Sequence, residues 1–280
     1  MNAGPLVSAE RLAARLGEPG LVVVDCRWNL EGPTPSEIYE QGHIAGAVLV
    51  DLDTDLAGQP GRQGGHPLPS PSAFAAAMRK VGISDDSHVI AYGHNGGVTA
   101  ARLWWMLDSL GVSCSVMDGG FAAWCGPVEQ GPARPVASGS FTERPFPANR
   151  FATADEVADR ASDVTLIDAR PRDRFDGAPG GDYPRYGHIP GAVNVFAYDS
   201  FAGRDEPCCV SRKDDLAALY RSVGLTDSEQ PVIAYCGSGV SACATLLGLR
   251  VLGFENLRLY TGSFSEWARD PARPVETVSG

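Results

Sequence analysis

The sequence predicts an α/β protein made of two tandem copies of one domain, each a mostly parallel sheet with helices on both faces. Three observations carry this. Short apolar runs alternate with helical patterns along the whole chain. Four sequence blocks recur in the same order, offset by roughly 145 residues. Between the two sets lies a stretch, 126–149, rich in Pro, Gly and Ser and without an apolar period. The predicted organisation is a first domain over 1–130, a linker or ordered tether over 131–150, and a second domain over 151–280. A chain of 280 residues is long enough for two such cores.

The elements follow in order. A helix is predicted over 8–16, with Ser8 as N-cap, and its counterpart over 153–161, where Thr153 and Glu156 form a capping box. The run Leu21-Val22-Val23-Val24-Asp25-Cys26-Arg27 matches Val164-Thr165-Leu166-Ile167-Asp168-Ala169-Arg170 and predicts a buried strand in each copy. Gly42-His43-Ile44-Ala45-Gly46-Ala47-Val48 matches Gly187-His188-Ile189-Pro190-Gly191-Ala192-Val193. Both copies keep the histidine, which suits a residue that ties down a turn. Helices over 72–81 and 212–223 precede the runs His88-Val89-Ile90-Ala91-Tyr92 and Pro231-Val232-Ile233-Ala234-Tyr235. The last blocks are Gly119-Gly120-Phe121 and Gly262-Ser263-Phe264, each closed by a tryptophan, Trp124 and Trp267.

The composition is that of a globular protein, 44% hydrophobic and 20% charged. The net charge of −11 argues against nucleic acid or an anionic membrane as the main partner. A small anionic substrate is compatible with it, because a local site can be positive on an acidic protein. The N-terminus shows no basic segment followed by an apolar one, and no apolar run is long enough to span a bilayer, so the expected compartment is cytoplasmic. Seven cysteines, Cys26, Cys114, Cys125, Cys208, Cys209, Cys236 and Cys243, form no CxxC and no Cys/His cluster with zinc-ligand spacing. No metal or cofactor is expected. Cys208-Cys209 is a vicinal pair in a polar loop, and Cys243 follows Cys236 on the next predicted helix, where packing is its default role.

The segment Cys236-Gly237-Ser238-Gly239-Val240-Ser241-Ala242 joins an apolar strand to a helical pattern that runs from Val240 to Leu249. Backbone N–H groups at such a turn, helped by the helix dipole, favour an anion. A thiol held there ionises more readily than a free one. In parallel sheets the active loop lies at the carboxyl ends of strands, where Cys236 falls. The first copy has Tyr92-Gly93-His94-Asn95-Gly96-Gly97-Val98 instead, one residue longer and without cysteine.

Taken together, the Gly-His-Ile-x-Gly-Ala blocks, Arg102-Leu103-Trp104-Trp105, the closing Gly-Gly-Phe and Gly-Ser-Phe blocks and the cysteine loop resemble the tandem rhodanese-like sulfurtransferases over nearly the whole chain. The resemblance implies two rhodanese-like α/β domains, of which only the C-terminal one is catalytic. Its cysteine takes sulfane sulfur from a donor, carries it as a persulfide and passes it to a nucleophile. The expected partners are a small-molecule sulfur donor and a thiol, thioredoxin-like or cyanide acceptor. Cys236 is then the nucleophile. The N–H groups from Gly237 through Gly239, Val240 and Ser241 to Ala242 are candidate donors to the persulfide or substrate.

Within this family, thiosulfate-preferring loops resemble Cys-Arg-Lys-Gly-Val-Thr, whereas Cys-Gly-Ser-Gly-Val-Thr belongs to the 3-mercaptopyruvate type. The loop here is of the second type, with Ser241 for Thr. Thiosulfate, a dianion, gains from cations beside the thiol, and mercaptopyruvate carries a single carboxylate away from its sulfur. The resemblance also implies substrate arginines. Asp168-Ala169-Arg170-Pro171-Arg172-Asp173-Arg174-Phe175 matches its pattern and nominates Arg174. Arg185 is the candidate for a second, although its loop is about two residues shorter than the family's. A Ser–His–Asp relay is implied as well, nominating Ser238, His66 in Gly65-His66-Pro67-Leu68-Pro69, and Asp53 in Asp51-Leu52-Asp53.

The alternatives are fewer. Thiosulfate:cyanide sulfur transfer is the nearest. A Cdc25-like phosphatase shares the fold but needs an arginine six residues after the cysteine, where Ala242 stands. A non-catalytic binding module does not need Cys236.

Overall fold

The computed structural model of the chain describes residues 4–94, 97–181, 183–202, 209–210 and 213–278. It divides into two compact units. The first comprises Met1–Ala57, Pro69–Phe146 and Phe201–Val210, and the second Gly58–Leu68, Pro147–Ser200 and Ser211–Gly280. Residues 58–68 thus pack within the second unit, although they come from the first half of the sequence.

In the first unit, strands β1 (Leu6–Val7), β2 (Leu21–Asp25), β4 (Val48–Leu49), β5 (His88–Tyr92) and β6 (Ser113–Met117) form a parallel sheet in the order β1-β6-β5-β2-β4. Strand β3 (His43–Ile44) pairs antiparallel with β7 (Val128–Glu129). The helices are α1 (Ala9–Ala13), α2 (Pro35–Gln41), α3 (Leu52–Asp55), α4 (Pro71–Lys80) and α5 (Val98–Ser109). The second unit repeats the plan. Strands β8 (Phe151–Ala152), β9 (Thr165–Asp168) and β10 (Val193–Asn194), with β13 (Val232–Tyr235) and β14 (Leu257–Tyr260), form a parallel sheet in the order β10-β9-β13-β14-β8. Between them in sequence, β11 (Phe201–Ala202) and β12 (Cys209–Val210) make an antiparallel pair in the first unit. Helices α6 (Ala154–Ala158), α7 (Arg172–Asp176), α8 (Lys213–Arg221), α9 (Ala242–Val251) and α10 (Ser263–Trp267) complete the second unit. The two sheet orders are identical when strands are matched copy to copy, as the internal repeat requires.

Each repeated block performs the same task twice. Asp25 and Asp168 end their strands buried, and each receives the guanidinium of an arginine two residues on, Arg27 and Arg170, at 2.6 Å. The cations lie over Phe121 and Phe264, at 4.1 and 3.9 Å from the ring centroids. His43 stacks on Tyr39 and His188 on Phe175, with Nδ1 bonded to the stacking partner's carbonyl oxygen. Both histidines are buried pins of their turns.

The helices are shorter than their patterns. Ser8 and Thr153 cap as expected, Thr153 with the full capping box, but the helices stop at Ala13 and Ala158. Helix α9 begins at Ala242 rather than Val240, because Gly239 takes φ +80° and folds the loop back before the helix can start. A Cβ on Gly239 would also lie 2.4 Å from the Thr261 carbonyl oxygen. Up to Phe146 the Pro/Gly/Ser stretch packs on the first unit. Val128–Glu129 pairs with β3, Gly139 N–H donates to the Arg79 carbonyl at 2.9 Å, and Arg144 pairs with Asp85 at 2.8 Å. Among the described residues, no helix is long and apolar enough to cross a membrane.

Candidate active site

The loop after β13 leaves the sheet beside β9, where the chain order reverses. That is the place in a parallel α/β sheet where loops open a crevice. Cys236 is the first residue past the strand and is only 2% exposed. Its backbone is held on both sides. The Cys236 N–H donates to Ser263 Oγ at 3.1 Å, and its carbonyl accepts the Phe264 N–H at 3.0 Å. The Gly239 N–H donates to Cys236 Sγ at 3.2 Å, so the loop curls a backbone dipole onto the sulfur. Ala242, two residues beyond Val240, opens a helix of ten residues whose N-terminus follows this turn.

Phe264 N–H bonds Cys236 oxygen as Phe121 N–H bonds Gly93 oxygen, at 3.0 and 2.9 Å. Gly93 is therefore the counterpart of the thiol in the first copy, which carries no sulfur there. The next residues of that loop, 95 and 96, lie outside the described residues.

In the sequence Ser263 is only the middle residue of a repeated block, and its role comes from its backbone. It sits at φ +54°, the one positive-φ non-glycine among the described residues, and its counterpart Gly120 sits at +55°. Glycine adopts this conformation freely, whereas serine is strained by about 1 kcal/mol or more. The Ser263 hydroxyl accepts from Cys236 N–H and donates to the Tyr260 carbonyl at 2.8 Å. Ser263→Gly should therefore keep or raise the thermal midpoint while loosening Cys236. Ser263→Ala, which loses the hydroxyl and keeps the strain, should be less stable than Gly by about 1 kcal/mol and so melt at a lower temperature. Differential scanning calorimetry and the rate of Cys236 alkylation check the pair: equal midpoints for Gly and Ala would contradict it.

His66 reaches the same loop from residues 58–68. Its Nδ1 lies 2.7 Å from Ser238 Oγ. Ser265 seats this segment, taking the Gly65 N–H on its Oγ at 2.9 Å, while its own N–H donates to Gly237 oxygen at 2.9 Å. The structure thus brings Cys236, Gly237, Ser238, Gly239 and His66 together within the second unit. Asp53 belongs to the first unit, on α3, and accepts a hydrogen bond from the Trp28 indole at 2.8 Å.

The two nominated arginines differ. Arg174, on α7, is about a third exposed, lies across Gly180 and hydrogen-bonds the Pro179 carbonyl. It favours ionisation of the Tyr183 phenol and so lies within electrostatic reach of it. Arg185 is engaged elsewhere. Its guanidinium donates to the carbonyls of Ala268 (3.0 Å), Trp267 (3.1 Å), Arg273 (2.6 Å) and Asp270, which cap the end of α10. Tyr183, two residues earlier, takes the place at the loop instead. Its ring packs edge-on to Phe264 at 5.4 Å, and a Cβ placed on Gly237 would lie 2.4 Å from its hydroxyl oxygen.

Among the described residues, the other thiols show no comparable setting. Burial pushes Cys26 and Cys114 well above the ordinary thiol range. Cys243 is buried and donates to the Gly239 carbonyl at 3.5 Å. Cys209 is free, and its neighbour Cys208 lies outside the described residues.

Known proteins resemble this arrangement. The family described as the rhodanese-like domain matches the chain twice, over residues 8–127 and 153–270. A Pseudomonas aeruginosa protein named "Probable 3-mercaptopyruvate sulfurtransferase" is 37% identical over 292 residues, covering 99% of both chains. A Corynebacterium glutamicum protein named thiosulfate sulfurtransferase is 31% identical over 287 residues, covering 97% of this chain and 90% of its own. The crystal structure of SseA from Escherichia coli, presented as showing the rhodanese fold of 3-mercaptopyruvate sulfotransferases, superposes with a TM-score of 0.81. It is 33% identical and covers 94% of this chain and 100% of its own.

Proposed function

The chain belongs to the rhodanese-like domain family and is a sulfurtransferase, and from that premise we propose that it moves sulfane sulfur from 3-mercaptopyruvate to a thiol, thioredoxin-like or cyanide acceptor through a persulfide on Cys236. The observation that carries the donor assignment is the neutral loop. No cation stands between Cys236 and Ala242, and Ser238 meets His66 at 2.7 Å.

In this reading the Cys236 thiolate attacks the sulfur of 3-mercaptopyruvate. The carbon–sulfur bond breaks, sulfur stays on Cys236 as the persulfide, and the enolate of pyruvate leaves and takes up a proton. The Gly239 N–H, already on Sγ, stabilises charge on the sulfur, with the N–H groups of Val240, Ser241 and Ala242 as further donors. Arg174 holds the carboxylate. Ser238 and His66 carry the proton between the substrate and solvent. The acceptor then attacks the outer sulfur and returns Cys236 as thiolate. Arg185 has no substrate role in this scheme, because four of its five N–H donors are engaged by carbonyls at the end of α10.

The test is a side-by-side assay of pyruvate release from 3-mercaptopyruvate with a thiol acceptor, against thiocyanate formation from thiosulfate and cyanide. The first should have the higher kcat/KM. The reverse order would establish thiosulfate as donor, the second reading, which the name of the Corynebacterium relative favours. His66→Ala should cut mercaptopyruvate turnover by about 10²-fold and thiosulfate turnover much less, since thiosulfate brings no thiol proton. An equal loss with both donors would refute the relay.

A further inference from the structure

From Cys236 to Ala242 the loop carries no charged side chain, and no side chain at all at position 237. The backbone of Gly237 does not itself demand glycine, since its φ lies outside the left-handed region. What bars a side chain there is Tyr183. A Cβ at 237 would stand 2.4 Å from the Tyr183 hydroxyl oxygen and 3.7 Å from Cζ. The ring cannot swing aside cheaply, because it is wedged edge-on against buried Phe264 and packed on the core of the second unit. Among the described residues, nothing pairs with the Tyr183 hydroxyl, which therefore arrives at the loop with its hydrogen-bonding capacity unused.

We infer that Tyr183 is a specificity-determining residue of this site: its hydroxyl keeps position 237 bare and offers the donor a neutral hydrogen-bonding group in place of a charged loop side chain. This rests on the sulfurtransferase reading above. The consequence is selective. A ketoacid with one carboxylate needs one cation, Arg174, and gains from a hydroxyl at its carbonyl or carboxylate oxygen. A small dianion gains most from a second cation beside the sulfur, and Tyr183 excludes one at 237. Burial first, and next the charge Cys236 carries as thiolate, push the Tyr183 phenol up, so it acts as an un-ionised hydroxyl.

The test is a double-mutant cycle in the full-length protein. Tyr183→Phe keeps the ring and removes the oxygen. It should raise KM for 3-mercaptopyruvate about fivefold with kcat within about twofold, lowering the mercaptopyruvate-to-thiosulfate ratio of kcat/KM about fivefold. Gly237→Arg alone should lower the thermal midpoint and cut both activities more than about tenfold. In the Tyr183→Ala/Gly237→Arg protein the midpoint should recover, and kcat/KM for thiosulfate should rise about tenfold above that of Tyr183→Ala alone. If Gly237→Arg does not fold, Gly237→Ala reads the same collision by its midpoint, with and without Tyr183. Additive effects at 183 and 237, or an unchanged donor ratio in Tyr183→Phe, would overturn the inference. The coupling of midpoints needs no substrate, so a wild-type preference for thiosulfate would sink the donor assignment while leaving that coupling to stand or fall alone.

Discussion

Cys236→Ser should abolish sulfur transfer from either donor, lowering kcat/KM by at least about 10⁴-fold. The reason is chemical and geometrical together. A serine hydroxyl is a poor nucleophile at neutral pH and cannot hold sulfane sulfur as a stable persulfide. Among the described residues, the hydrogen bonds that fix position 236 are made by its backbone, through Ser263 Oγ and the Phe264 N–H, apart from that of the Gly239 N–H on Sγ. The variant should therefore fold normally, and its stability should stay within about 1 kcal/mol of wild type. Mass spectrometry after incubation with donor gives the direct measurement: wild type gains one sulfur atom and the variant none. Sulfur retained on the variant would place the carrier on another thiol.

The second large effect is on stability. Arg170→Ala should destabilise the second unit by about 3–5 kcal/mol, a fall in its melting midpoint of about 10–20 °C. Arg170 pairs with Asp168 at 2.6 Å, both are buried, and the same guanidinium donates to the Gly187 carbonyl at 2.7 Å and lies 3.9 Å over Phe264. Truncation would strand a buried carboxylate at the end of β9, next to the strand that delivers Cys236. Arg27→Ala should cost the first unit a similar amount, since Asp25 and Phe121 repeat the arrangement. Calorimetry with activity assays separates the two. Both variants should melt early, and Arg170→Ala should lose activity at temperatures where Arg27→Ala keeps it. A loss below about 1 kcal/mol at either position would mean that the pairs are dispensable.

The repeat made the paired features legible. Asp25 with Asp168, Tyr92 with Tyr235 and His43 with His188 lie in regular strands or tight turns, where side-chain direction follows from spacing. Serine at 263 opposite glycine at 120 was equally visible, but its meaning needed the backbone angle and the hydroxyl's partner. His66 and Ser238 were nominated by resemblance, 172 positions apart, and no periodicity could have joined them. Arg185 and Tyr183 are the sharpest case. They stand two residues apart in an irregular, glycine-rich loop, and spacing there does not say which side chain turns inward. The structure sends the arginine to the carbonyls of α10 and the tyrosine to Gly237.

By itself, then, the sequence determined the duplicated parallel α/β plan, the loss of the thiol in the first copy and the neutral loop around Cys236. These depend on local periodicity and on residue identity, which a chain displays without folding. Only the tertiary structure decided which groups meet the thiol's loop: His66 through Ser238, Ser263 through a backbone amide, and Tyr183 over Gly237. Those encounters join segments far apart in the chain, through loops whose course is set by packing rather than by any repeating pattern.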